Sequence, residues 1–349
     1  MNYNYPPKQP CILRISFLIH CALCIITALP LHAENHRTTP LVFVEYNCEN
    51  LFDCRHDSLK QDYEFLPDGE RQWTFGRYWK KLNDIARVIQ QCGDTEEHYH
   101  LPDLVALCEV ENDSTLISLT RRSLLRGADY KYIMTSSPDR RGIDVALLYN
   151  PLSIHIFKHR TIRISPPAGS RPTRDILYVK AAPRTDDTLH IFVLHAPSRS
   201  GGELETEPYR LQVADRLLQT IDSIRTTDNN AAIMIAGDFN DYSSNNSLRL
   251  ICNHNMAEPS QDAVGLNFKT TGVRGTYKYQ GQWDSLDHIL LSPTLQRYVT
   301  RCFILDNLWL LSEDTTNGGY KPRRTYGGTW YQGGVSDHLP LVLKLEISD

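Results

Sequence analysis

Apolar residues fall along this chain in short runs separated by polar stretches. Runs rich in Val, Ile and Leu predict strands at Leu41–Asn47, Asp103–Val110, Tyr130–Met134, Asp144–Tyr149, Ile176–Lys180, His190–His195, Ala232–Ala236, His288–Leu291 and Leu339–Leu345. Their near-continuous apolar character suits strands covered on both faces. Helical spacing appears between them. Trp79, Leu82, Ile85, Ala86 and Ile89 mark one helix, and Leu116, Leu119 and Leu124 a second, with Asn112 or Asp113 as its cap. Leu211, Ala214, Leu217, Leu218 and Ile221 mark a third. The stretch from Leu311 to Val335, rich in Gly, Tyr, Thr and Arg, reads as a long functional loop. No repeat, heptad array or low-complexity linker breaks the order, so the pattern predicts two packed sheets with helices outside, in one α/β domain.

One apolar run stands apart. Ile15 to Leu31 follows Lys8 and Arg14, the only charged side chains before Glu34, and ends in Leu31-His32-Ala33. A small residue at that point is what signal peptidase requires. This predicts a signal peptide over residues 1–33, a mature chain over 34–349, and an exported protein, periplasmic or extracellular, with no stable membrane insertion after cleavage. A buried helix or an uncleaved anchor is the alternative, but the run barely spans a bilayer and contains His20. Leu23 precedes Cys24, where a lipoprotein signal wants a small residue.

Charge narrows the function classes. Lys+Arg number 37 against 41 Asp+Glu, a net −4, and loss of Lys8 and Arg14 with the signal segment takes the mature chain to −6. That argues against a tight, sequence-blind DNA binder and leaves room for a cation site built from carboxylates. Six of the nine cysteines lie in the mature chain, with no C-x-x-C pair among them, so neither a zinc ribbon nor a thioredoxin-type site is supported. Cys48 and Cys108 sit inside strand-like runs and read as small core residues.

Polar residues recur where the strands end. Asn47 and Glu49 follow the first, Glu109 and Glu111 close the second, His195 closes Ile-Phe-Val-Leu, and Asp238 and Asn240 follow Ile-Met-Ile-Ala-Gly. Asp337 and His338 directly precede the last. Singly, each has a plain alternative: Asp238 a turn aspartate, Glu109 a solvated carboxylate, His195 a core histidine, Asp337 and His338 a strand-entry turn. Five such strand ends in one chain are what those alternatives do not explain. The chemistry that fits is metal-assisted hydrolysis of a phosphate ester. Mg²⁺, with Mn²⁺ or Ca²⁺ as alternatives, takes oxygen ligands, which Glu109 and Asp337 with Asn47 and Glu49 supply. His338 with Asp287 forms a candidate base dyad. Asn240 and Arg174 can bind non-bridging phosphate oxygens.

In order, the chain contains Tyr-Asn-Cys-Glu-Asn-Leu-Phe-Asp (46–53), Leu-Cys-Glu-Val-Glu (107–111), Arg-Gly-Ile-Asp-Val-Ala (141–146), His-Ala-Pro-Ser-Arg (195–199), Gly-Asp-Phe-Asn-Asp (237–241), Leu-Asp-His-Ile (286–289) and Ser-Asp-His-Leu-Pro (336–340). This series resembles the endonuclease/exonuclease/phosphatase superfamily, over about residues 41 to 347. The resemblance implies a four-layer α/β sandwich with two central mixed β-sheets flanked by helices. It assigns Asn47, Glu49, Glu109 and Asp337 to the metal cluster. Asp238 and Asn240 orient the nucleophilic water and the phosphate, and His338 with Asp287 is the base dyad. It makes His195 an aid to leaving-group departure, with Asp144 as a candidate carboxylate partner, and Arg174 a phosphate contact. Arg199 is a second candidate contact or a surface arginine. Arg323, Arg324, Tyr326 and Trp330 either grip substrate or form a solvated loop. Two departures accompany it: Leu194 precedes His195 where many relatives carry Asn, and Glu49 stands where apurinic endonucleases often have Asp.

The expected protein is therefore a monomeric, exported, Mg²⁺-dependent phosphoesterase acting by in-line attack of water. A nucleic-acid phosphodiester is the leading substrate. Small phosphoesters (inositol phosphates, nucleotides, phospholipid head groups) are the alternative. A non-catalytic binding module is the third reading, against which the intact site residues weigh.

Overall fold

The computed structural model describes Met1 and residues 38–93, 100–165, 171–183, 188–259 and 263–348, so the expected signal peptide, apart from Met1, lies outside the described residues. Two sheets carry the fold. The first comprises β1 (Thr38–Leu51), β2 (Leu104–Val110), β3 (Lys131–Met134), β4 (Asp144–Tyr149), β12 (Val299–Ile304) and β17 (Leu341–Ser348), in the order β12-β17-β1-β2-β4-β3. Only β1 and β2 are parallel in it. The second comprises β5 (Ile154–Ile162), β6 (Ile176–Pro183), β7 (Leu189–His195), β8 (Ala232–Asp238) and β11 (Asp287–Leu291), in the order β11-β8-β7-β6-β5, with only β7 and β8 parallel.

Alternation along the strands divides the core into two. On β7, Ile191 and Val193 join the large cluster that packs both faces of the first sheet, while Phe192 and Leu194 join a second cluster on the opposite face of the second sheet. On β8, Met234 and Ala236 face the first cluster, and Ile233 and Ile235 the second. This is the period of two expected of a strand buried on both sides, and it explains the unbroken apolar runs in the sequence. Helices cover the outer faces. α1 (Phe75–Cys92), opened by a Thr74 cap, buries Tyr78, Leu82, Ile85 and Ile89 in the first cluster. α2 (Asp113–Arg121) is capped by Asn112, whose Oδ1 accepts from the Thr115 N–H at 2.9 Å. α3 (Glu203–Arg225) and α4 (Asn246–Asn253) set Val213, Leu217, Ile221, Leu248 and Ile251 against the second sheet. The four-layer mixed sandwich is as expected.

The differences have physical causes. β5, an edge strand, carries no apolar run and escapes sequence reading; β12, also at an edge, ends in the buried apolar run Cys302-Phe303-Ile304, which the predicted strands do not include. β5 exposes most of Ile-His-Ile-Phe-Lys-His-Arg-Thr-Ile, and such charge discourages edge-to-edge pairing. α3 begins eight residues before Leu211, beyond Pro208, which hides its first turns from periodicity. Leu124 lies past the end of α2 and is exposed. The 311–335 stretch is not one irregular loop. It contains β13 (Leu311–Glu313) paired with β14 (Tyr320–Pro322), and β15 (Tyr326–Gly327) paired with β16 (Trp330–Tyr331). A further hairpin, β9 (Tyr277–Tyr279) with β10 (Gln282–Asp284), precedes β11. The six described cysteines are free, and Cys48 and Cys108 are fully buried.

Gly237 marks the tightest point of the second sheet. Its φ is +146°, and a Cβ there would lie 1.8 Å from the Leu194 carbonyl oxygen on β7. Only glycine allows so close a backbone approach. Gly237→Ala is expected to lower unfolding free energy by on the order of 3 kcal/mol. Urea titration checks this, and an unchanged midpoint would contradict it.

Candidate active site

The site forms where strands of both sheets end. In the second sheet the register sets His195 opposite Asp238 and Asp238 opposite Asp287, one row across three strands. In the first sheet the pairing of β1 with β2 shifts register between Asn47 and Leu51, and that of β2 with β4 shifts between Cys108 and Val110. Such irregularities re-aim side chains next to functional sites. Glu49, Asn50 and Glu109 occupy them with φ of +48°, +58° and +62°, and Asn240 after β8 has +51°. Non-glycine residues held in this left-handed region store strain that the surrounding structure must impose.

These ends enclose a cleft of about 270 Å³ lined by Glu49, Glu109, His195, Asp238, Asn240, Asp337 and His338, with Arg141 and Arg174 at its side. Asp287 lies behind it. Its Oδ2 accepts from His338 Nδ1 at 2.6 Å and from Thr276 Oγ1 at 2.5 Å. The His338 backbone N–H donates to Ser336 Oγ at 3.1 Å, and that hydroxyl donates to the Asn47 carbonyl at 2.7 Å. Burial alone disfavours the charged ring, but the Asp287 charge and hydrogen bond outweigh it and hold His338 well above the ordinary histidine value. His195 goes the other way. Burial, then the Arg174 and Arg141 charges, keep it well below that value, so it is neutral. Its Nε2 lies 3.5 Å from Asp238 Oδ2 and 4.0 Å from Glu109 Oε1. Asp144 is not its partner: that carboxylate accepts from Thr135 Oγ1 at 2.5 Å and from the Ser137 N–H at 3.0 Å.

The acidic residues are held by local donors. Asp238 accepts from Asn47 Nδ2 at 3.0 Å and from the Asn240 N–H at 2.8 Å. Glu109 accepts from the Asn50 N–H at 2.7 Å, and Glu49 from the Thr325 N–H at 2.6 Å. Asn47 Oδ1 accepts from the Glu49 N–H at 2.9 Å, so Asn47 sits behind the cleft wall. Asp337 pairs with Arg324 at 2.9 Å. Burial and the Asp287 charge push the Asp238 carboxyl up to about 7, and burial with the Asp337 charge pushes Glu49 up to about 7. Negative charge is thus crowded beyond what the cleft tolerates alone. An all-oxygen donor set of this kind fits a hard divalent cation. Glu49, Glu109 and Asp337 line the cleft and are the residues that would hold it, while Asn47, expected among the ligands, stands behind them bonded to Asp238 and the Glu49 N–H. Ligating atoms of Asp238, Asp287 and His338 also lie within 4.8 Å of one another. Asp287 is already engaged with His338 there, so that trio reads as the base dyad and its neighbour.

Arg174 is buried and donates to the Ala196 carbonyl at 2.6 Å, as does Asn240 Nδ2 at 3.0 Å. Arg199 departs from the expected phosphate contact. Its Nε donates to the Asn240 carbonyl at 2.8 Å and its NH2 to Asn245 Oδ1 at 2.6 Å, with the guanidinium 4.0 Å over the Tyr242 ring. It braces the turn that carries Asn240 and does not line the cleft. In the β14–β16 region, Arg324 pairs with Asp337 through its side chain and the Tyr326 N–H donates to Glu49 Oε1 at 3.3 Å, while Arg323 and Trp330 form no such contact with the cleft among the described residues. Tyr326 is buried with its hydroxyl on the Arg71 carbonyl, and Trp330 is 81% exposed.

Three residues escaped sequence reading. Glu45 is fully buried in β1 with neither carboxyl oxygen hydrogen-bonded, and burial followed by the Asp287 and Asp238 charges raises it well above the carboxylate range. A lone acid within Leu-Val-Phe-Val-Glu-Tyr was its signal. Lys81, on the buried face of α1, donates to the Glu49 carbonyl at 2.5 Å and to Thr325 Oγ1 at 2.6 Å. Tyr277 stands with its ring 4.9 Å from that of His338, and nothing local in the sequence marks it.

A model of the endonuclease/exonuclease/phosphatase family matches residues 42–347. The chain belongs to that family. Its members hydrolyse phosphoesters and depend on a divalent metal. No curated protein sequence matches the chain. Solved structures share the fold. A family protein from Bacteroides thetaiotaomicron is 16% identical, with 89% of this chain and 99% of that one covered, at a TM-score of 0.57. The mannosyl-6-phosphatase of the same organism is 15% identical, with 87% and 98% covered, at 0.56. The human Nocturnin catalytic domain with bound sulfate is 15% identical, with 89% and 95% covered, at 0.52. Among the described residues no helix is long and apolar enough to cross a membrane.

If Arg199 braces the turn, Arg199→Ala should lower stability by about 1–2 kcal/mol and reduce kcat on a phosphodiester, with KM changed less than about twofold. Steady-state kinetics beside thermal melts decide. A large rise in KM at unchanged stability would restore Arg199 to the substrate contacts.

Proposed function

We propose that this protein is an exported, Mg²⁺-dependent phosphodiesterase acting on nucleic acid, hydrolysing the ester by in-line attack of water on phosphorus. The observation that carries the reaction is the convergence of His338–Asp287, neutral His195 and the crowded carboxylates on one cleft flanked by Arg141 and Arg174. A divalent cation held by Glu49, Glu109 and Asp337 would supply Lewis-acid polarisation of the phosphoryl group and would stabilise charge on the leaving oxygen. The chain does the rest. Asp287 fixes the His338 ring through Nδ1 and leaves Nε2 toward the cleft, where the ring takes a proton from water in its neutral form, and the raised proton affinity makes it a strong acceptor. Asp238, steadied by Asn47 and the Asn240 amide, offers oxygens to orient that water. Arg174, at the side of the cleft, offers a guanidinium group to the non-bridging oxygens. His195, facing Asp238 and Glu109, is placed to hydrogen-bond the departing oxygen.

A small phosphoester is the second reading, favoured by the net negative charge and by the modest volume of the cleft. Plasmid DNA, bis-p-nitrophenyl phosphate and a phosphomonoester panel, each with Mg²⁺ and with EDTA, separate the two. Hydrolysis of the diesters that stops in EDTA is expected; activity surviving excess chelator would refute the metal requirement. His338→Ala and Asp238→Ala should each lower kcat by a factor of roughly 10² to 10⁴ with the far-ultraviolet spectrum unchanged.

Export rests on the segment 1–33. Mass spectrometry of protein recovered from outside the cytoplasm should find a mature N-terminus at Glu34. An intact Met1 in that fraction would count against cleavage.

A further inference from the structure

Beside the reaction cleft lies a larger cavity of about 860 Å³, which shares Arg141, Arg174 and Ser198 with it. Gln61 and three chain segments form its walls: residues 139–141 before β4, 171–174 before β6, and positions between 197 and 212, from after β7 into the first half of α3. Arg140, Arg141, Arg171 and Arg174 line it against a single carboxylate, Asp139, in a chain of net charge −4. Asp139 lies 3.4 Å from Arg174, so part of its charge is already met. The guanidinium groups of Arg140 and Arg171 form no ion pair among the described residues. Thr173 and Arg174 also line the wall. Clustered guanidinium groups repel one another, and an anion bound between them offsets that repulsion through charge-assisted hydrogen bonds. The volume exceeds what one phosphate fills and matches a phosphate with an attached sugar-sized group.

We propose that this cavity is a subsite for a second phosphate group of the substrate, one linker away from the ester being hydrolysed. The assignment rests on the phosphoesterase reading for the ester itself, and the arginines supply the recognition. A second phosphate can come from a neighbouring nucleotide or from a small polyphosphorylated molecule, and the substrates below distinguish them.

The test uses the mature chain and the double variant Arg140→Ser/Arg171→Ser on three substrates with Mg²⁺. These are a 5′-phosphorylated thymidine dinucleotide, an inositol bisphosphate, and bis-p-nitrophenyl phosphate, which has one phosphorus. The double variant should lose about tenfold in kcat/KM, mainly through KM, on at least one doubly phosphorylated substrate, while changing less than twofold on bis-p-nitrophenyl phosphate. Loss on the dinucleotide assigns the second phosphate to nucleic acid; loss on the inositol bisphosphate assigns it to a small polyphosphate. An equal loss on all three substrates, or none on any, overturns the subsite. Calorimetric binding of the dinucleotide and of the inositol bisphosphate in EDTA supplies a readout without turnover. Wild type should bind one of them about tenfold more tightly than the double variant, with a steeper dependence on salt. Equal binding of both ligands overturns the subsite even where hydrolysis is normal. Absence of hydrolysis of every ester, with the binding difference preserved, overturns the phosphoesterase reading alone.

Discussion

The cleft depends on the pairing of β8 with β7 on one side and β11 on the other. Backbone hydrogen bonds of a sheet allow no gradual adjustment: a slip of one residue would turn every side chain to the opposite face. That rigidity places His195, Asp238 and Asp287 in one row, and lets β7 pass so close to Gly237 that no side chain fits between them. The first sheet then brings Glu49 and Glu109 to the same place through irregularities at the ends of its own parallel pair. Two parallel pairs, one in each sheet, therefore supply most of the acidic residues.

Holding these groups together is costly, and the surroundings show how it is offset. Burial and a neighbouring carboxylate raise a carboxyl's proton affinity, as Asp287 does for Asp238 and Asp337 for Glu49. Backbone amides reach several of them, including Thr325 on Glu49, Asn50 on Glu109 and Asn240 on Asp238. Lys81 brings a positive charge up beneath Glu49 from α1. Beyond Asn240, the wholly buried pair of Arg210 with Asp241 at 2.7 Å anchors the turn to α3, with Arg199 bracing it from outside. The left-handed backbone at Glu49, Asn50, Glu109 and Asn240 is tolerated because these partners leave the chain no alternative.

Most of the fold was legible because both sheets are covered on both faces. Buried strands write themselves as apolar runs, and β2, β4, β7 and β8 were found on that signal. β5 was not, since its exposed, charged sequence carries no apolar run. The site was legible to the extent that polar residues closing an apolar strand are conspicuous, as with Glu109, His195 and Asp238. Arg199 looked like a ligand because an arginine beside a motif reads the same whether it faces substrate or braces a turn. Asp144 looked like a partner for His195 for a comparable reason: order in the chain says nothing about which face of a strand a carboxylate shares.

By itself, then, the sequence determined the two-sided strands, the covering helices and the residue types gathered at the strand ends, because burial and periodicity are local properties of a chain. Tertiary structure decided which of those residues meet. His338 finds Asp287 from 51 positions away, Asn47 finds Asp238 from 191, and Thr325 reaches Glu49 from 276. It also decided that Arg140, Arg141, Arg171 and Arg174 share one cavity wall. Proximity across such separations is set by sheet order and register, which emerge only when the whole core packs.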